Sequence, residues 1–136
     1  MNYLAGLPAF LCYLITGVVM LVLFMFCYSK VTPHKEWKLI QAGNTAASAA
    51  YGGAILGFTI PLYSAMSHSI SLVDFILWGI VAFVVQIVTF FVTKGVLKLQ
   101  GQSLSTHISE AHVAYGVLSG SIAVAVGLLN AASMTW

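Results

Sequence analysis

The chain has no arginine, only three acidic residues (Glu36, Asp74 and Glu110) and 6% charged residues in all, where a globular protein carries about a quarter. A water-soluble fold of 136 residues could not cover its surface with so few charges. Five lysines and a net charge of +2, dispersed along the chain, exclude a nucleic-acid surface. The two cysteines, Cys12 and Cys27, fall on one apolar stretch. They would lie about 22 Å apart along a helix, far beyond disulfide reach, and read as reduced packing residues. The chain also lacks a nucleophile–base–orienter set, a phosphate loop and paired carboxylates, so it is not read as an enzyme and implies no cofactor. His34, His107 and His112 share one side of the expected topology, but their spacings match no metal-ligand signature and no metal site is expected; His68 stands alone on the other.

What the chain has is apolar length: 60% of its residues are hydrophobic and its mean hydropathy is +1.00. Four long blocks without charge remain, Met1 to Ser29, Leu39 to Val73, Phe75 to Thr93 and Ala111 to Trp136. About 20 apolar residues cross a hydrocarbon layer, which places spanning helices near Leu4–Tyr28, Asn44–Met66, Phe75–Leu97 and His112–Met134. Barrel strands would alternate in polarity, and runs such as Val18 to Phe26 do not.

All the lysines fall in or beside two connections: Lys30, Lys35 and Lys38 between the first and second helices, Lys94 and Lys98 between the third and fourth. The positive-inside rule makes both connections cytoplasmic and puts both termini outside, with Ser67–Asp74. Met1 to Gly6 carries no basic region, and no cleavage site follows a run of signal-peptide length, so the first helix is expected to stay in the mature protein. Tyr3, Trp37, Trp78 and Trp136 lie near span ends as headgroup anchors. A short interfacial helix is expected within Thr32 to Ile40, with Thr32 as N-cap and Pro33 at its first position. Its lysines face anionic lipid, as an anchored connector or a docking site.

Shifted by 68 positions, the chain aligns with itself: Lys30 meets Lys98, Ala46 meets Ala114, Gly52 meets Gly120 and Met66 meets Met134. The first and third helices match only in hydrophobicity. Each unit crosses inward and returns, so the halves would be related by a pseudo-two-fold along the membrane normal. The expected fold is a single-domain, all-α integral membrane protein of four transmembrane helices. They form two parallel helix-hairpin repeats, about 1–68 and 69–136, with both termini outside.

The segments Ala42-Gly43-Asn44-Thr45-Ala46-Ala47, Gly52-Gly53-x-x-x-Gly57, Pro61-Leu62 and Gly127-Leu128-Leu129-Asn130-Ala131-Ala132-Ser133-Met134 together resemble the YjfL-like family of small bacterial inner-membrane proteins. The resemblance spans nearly the whole chain. It implies four helices in two repeats and a bacterial inner membrane, brings no established activity, and suggests association with envelope-stress proteins resembling PspA. Members often carry Gly-Asn in the second repeat as well, where this chain has Ala111-His112.

Small residues recur every four positions along the second helix, at Thr45, Ala49, Gly53, Gly57, Pro61 and Ala65, and along the fourth at Gly116-x-x-x-Gly120 and from Ser119 to Ala131. Such rows let helices pack closely in lipid, within one chain or between copies. Pro61 leaves the Gly57 carbonyl without its helical donor, a role Thr59 or Ser64 would fill. Trp78, Ala82, Gln86, Thr89 and Thr93 form a polar stripe on the third helix with Gln86 near mid-membrane, and Asn130 poses the same demand for a partner on the fourth. Asn44 and His112 occupy equivalent repeat positions, as helix caps or as the lining of a shared vestibule.

With no charge deep in a span, a proton-coupled pump or voltage sensor is disfavoured. The first reading is a self-associating structural or adaptor component of the inner membrane, whose lysine loops meet anionic lipid or a peripheral partner. The alternative is an oligomeric channel or facilitator for an ion or small polar solute, through a polar interior of Asn44, Gln86, His112 and Asn130. A dry helix contact favours the first and a continuous wet cavity the second.

Overall fold

The computed structural model describes residues 3–32, 35–99 and 103–134. Among them are six helices: α1 (Tyr3–Val31), α2 (Glu36–Gln41), α3 (Thr45–His68), α4 (Leu72–Leu99), α5 (Leu104–Ser109) and α6 (Val113–Ser133). The helices α1, α3, α4 and α6 are each long and apolar enough to cross a membrane. The chain is an all-helical membrane protein.

The ends differ from the hydropathy reading because helical hydrogen bonding outlasts the apolar stretch. The Thr32 amide still donates to the Tyr28 carbonyl, so α1 runs through Ser29 and Lys30, and α4 reaches past Lys98. Asn44 and His112 are N-caps and not first helical residues. The interfacial helix begins at Glu36 after an extended Lys35, not at Thr32. The Thr32 hydroxyl is committed elsewhere, to the Ser29 carbonyl and the Glu36 carboxylate. Pro33, His34 and Trp136 lie outside the described residues, as does the side chain of Tyr3.

Helix α5 was not expected. Ser103 caps it by accepting from the Thr106 amide, and Leu104 and Ile108 are buried beneath it. Its start lies 68 positions after that of α2, and the start of α6 lies 68 after that of α3. Left-handed residues precede α3 and α6 at the same spacing, Gly43 at φ 85° and Ala111 at φ 62°. At Ala111 the side chain makes that conformation cost about 1–2 kcal/mol, which glycine avoids.

The centre of the bundle is α3, the most buried span. It lies parallel to α6: Asn44 reaches Ile108, Ala46 meets Gly116, Gly53 meets Gly120, and Ser64 donates to the Ala131 carbonyl at 3.0 Å. Helix α4 runs antiparallel to both, and α1 lies along α3 and α4. The α1 contact is aromatic: Phe24 stacks on Phe58 with centroids 4.5 Å apart and meets the edge of Phe83 at 5.5 Å, while Tyr28 abuts Phe90. Gly79 leaves room for the end of Met20. Residues 4–12 of α1 are exposed. Since acyl chains are as apolar as these side chains, close packing and hydrogen bonds hold the bundle together.

The ends of α1 and α4 and the starts of α3 and α6 gather all five lysines at one end of the bundle, with α2 and α5.

Candidate functional site

Glycine decides where α3 and α6 touch. A Cβ at Gly53 or Gly57 would overlap the backbone of Gly120 or Ala123, and one at Gly116, Gly120 or Gly127 would overlap the Ala46, Ala49 or Gly57 carbonyl. Of the small residues singled out for packing, Ala49, Gly53, Gly57, Gly116 and Gly120 thus sit in the α3–α6 contact within one chain. Pro61 is buried on α3. The Gly57 carbonyl that Pro61 frees is answered by neither expected hydroxyl. Thr59 donates to Ile55, and Ser64 crosses to Ala131. The freed oxygen instead faces Gly127, in the space that a Cβ at that position would take.

Gln86 projects from α4 onto this pair and is 3% exposed. Its Oε1 lies against Gly57, and its Nε2 has no hydrogen-bond partner among the described residues. Thr89 and Thr93 beside it donate to their own helix, to Val85 and Thr89. The cavity at this amide, walled by Tyr28, Ala54, Gln86, Thr93, Ser119 and Ala123 among others, offers about 10 Å³ to the centre of a water molecule. That is the lower bound for holding one water. Asn130 on α6 is 9% exposed and also has an unpartnered Nδ2. It borders a different, open hollow with Trp78, Val81 and Ser133.

The equivalent positions Asn44 and His112 are used differently. Asn44 is buried, accepts from the Ala47 amide as a helix cap, and donates through Nδ2 to the Ile108 carbonyl at 2.8 Å. His112 is exposed, makes no side-chain cap, and stands 2.7 Å, Nδ1 to Nδ1, from His107. The two do not line a common vestibule, because Asn44 is spent on joining α3 to α5 while His112 faces outward.

Two features escaped the sequence reading. Glu36 is 1% exposed, and burial raises its carboxyl pKa above the ordinary glutamate value against the lowering effect of the Thr32 hydrogen bond. Beside it, between α1 and α2, opens a hollow of about 530 Å³ with apolar walls from Met25, Phe26 and Trp37 and a rim of Lys30, Lys35 and Lys38. The lysine count hinted at the rim; nothing in the spacing marked Glu36 as the buried member.

Residues 1–134 match the family model described as Domain of Unknown Function (DUF350). The chain is 45% identical over 136 residues to the UPF0719 inner membrane protein YjfL of Escherichia coli K12, covering 100% of both chains. It is 31% identical over 122 residues to the UPF0719 transmembrane protein YshE of Bacillus subtilis, covering 90% of each. No solved structure matches.

Proposed function

Since the chain belongs to the DUF350 family, whose relatives include proteins named for the inner membrane, we propose that it is an inner-membrane scaffold or adaptor. In this reading it is built as two parallel hairpin repeats, with both termini outside and its lysine end in the cytoplasm. The observation that carries the reading is the backbone-to-backbone contact of α3 with α6, a dry helix seam at the centre of the bundle. The recurrence of helix starts and left-handed residues at a spacing of 68 supports the repeat.

Lys30, Lys35 and Lys38 around an apolar hollow fit an anionic lipid, with headgroup phosphate on the rim and acyl chain on the wall. A peripheral protein resembling PspA, recruited at the same end, links the chain to envelope stress. Copies of the chain associate through the uncovered side of α3 and α6, where Ala49, Leu56, Ser121 and Ala125 border an open groove. Reporter tags on each terminus are expected to read periplasmic. Mild solubilisation is expected to yield oligomers that retain the partner and lose it when the lysines become glutamine; monomers without a partner would end the scaffold reading.

A second reading, a channel or facilitator formed between copies, is favoured by the unpartnered amides of Gln86 and Asn130. Flux of ions or small polar solutes through liposomes carrying the protein separates the two. The scaffold gives the permeability of empty liposomes.

A further inference from the structure

We propose that His107, Glu110 and His112 form a binding site for a divalent transition metal of the Zn²⁺ class at the lysine end of the bundle. Ligand atoms from the three residues, one from each, lie within 4.8 Å of one another. The turn between α5 and α6 makes this possible: the His112 amide closes onto the His107 carbonyl at 2.9 Å, with Ala111 in the left-handed region. Residues five apart are thereby folded onto one side.

Both supports of the site are fixed. Helix α5 is pinned by Leu104 and Ile108, which are buried, and by the Asn44 amide on the Ile108 carbonyl. The His107 ring is stacked flat on Tyr115, with centroids 3.9 Å apart and planes 7° apart. His112 stands where a cap residue would, yet its side chain caps nothing and is left for another task.

The two Nδ1 atoms at 2.7 Å hold one proton between them, since one ring must donate to the other. On metal binding that hydrogen moves to Nε2 of the donating ring, a change of tautomer that releases no proton from the neutral pair. Each neutral ring then carries its hydrogen on Nε2, and both Nδ1 lone pairs point at the ion. Tetrahedral coordination at about 2.0–2.1 Å sets the nitrogens about 3.3 Å apart, a separation that small ring rotations reach. Glu110 is exposed, with its Oε2 3.8 Å from His112 Nε2 and a carboxylate oxygen inside the same 4.8 Å cluster, so rotation of its side chain towards the Nδ1 side supplies the third donor. Two imidazoles and one carboxylate suit Zn²⁺ and its neighbours, whereas Mg²⁺ and Ca²⁺ take oxygen donors. The exposed edge leaves the fourth position to water.

The test uses the full chain in nanodiscs, stripped of metal and titrated with Zn²⁺ by calorimetry, with Co²⁺ absorption reporting tetrahedral geometry. One ion per chain is expected. Affinity is expected to fall tenfold or more in His107→Ala, His112→Ala and Glu110→Gln, and to stay unchanged in His34→Ala and His68→Ala. His112→Asn restores the cap residue found at Asn44 while removing the imidazole, so loss of binding in a folded His112→Asn chain separates ligation from structure. Absence of saturable Zn²⁺ binding, or wild-type affinity in the His107→Ala/His112→Asn double variant, would overturn the proposal.

Discussion

Gly53 and Gly120 meet backbone to backbone, so close that a single Cβ on Gly53 would fall within the Gly120 main chain. The contact lies in the first half of two parallel helices and is repeated on either side by Ala46 with Gly116 and Gly57 with Gly127. In lipid, where no hydrophobic force drives helices together, this proximity maximises dispersion and brings carbonyl oxygens onto Cα hydrogens.

Replacing Gly53 by valine is therefore expected to destabilise the bundle by about 1–3 kcal/mol or more, since the obstruction is backbone and cannot swing aside. Its neighbour is the control: Gly52 has no atom within 4 Å of an added Cβ. Gly52→Ala should be neutral or stabilising by up to about 1 kcal/mol through helix propensity. Denaturant titration in micelles, read by circular dichroism, compares the two.

Gln86→Leu removes a buried amide whose nitrogen finds no described partner. The expected result is unchanged or greater stability, by up to about 1–3 kcal/mol, the cost of an unsatisfied polar group. Asn130→Leu should behave alike. Thermal midpoints measured beside liposome flux report both properties; a channel would lose flux in these variants.

Asn44→Ala loses a helix cap and the bond that ties α5 to α3, a combined cost of about 1–3 kcal/mol. In metal-free protein His112→Ala should cost about 0.5 kcal/mol or less, because the exposed ring caps nothing. Unfolding of the two variants under one condition shows whether the matched positions have parted in role.

Glu36 gives a pH dependence. Its pKa is raised in the folded state, so the neutral carboxyl is favoured there. The associated stability is fully present below the unfolded value of about 4.3 and is lost as pH rises through the folded value. Stability should accordingly fall on going from acid towards neutral pH, and Glu36→Gln should flatten that slope while keeping an oxygen to accept from Thr32. Thermal midpoints from pH 4 upward check it; an unchanged slope in Glu36→Gln would assign the effect to another group.

Much of the architecture was legible because lipid imposes one strong rule, long uncharged helices, and the four spans obey it. The small-residue rows at Gly53 and Gly120 also announced a close contact, though not that it closes within one chain. Helix α5 stayed hidden because six residues, four of them polar, carry no periodic signal, and only the burial of Leu104 and Ile108 against the bundle makes it a helix. The juxtaposition of His107 with His112 depends on the left-handed Ala111, a conformation that sequence assigns to glycine or asparagine and not to alanine. Nothing in the spacing marked Glu36 for burial: a glutamate is costly to bury, and it is the Thr32 hydroxyl at the end of α1 that makes burial tolerable.

The seam between α3 and α6 also sets an order of events at the ribosome. Helix α6 follows α3 in the chain with α4 between them, so the two backbones can close on each other only after α4 and α6 have been made. Until then the glycine face of α3 lacks the partner it has in the finished fold, so synthesis of α3 and closure of the seam are separate moments in the protein's biogenesis.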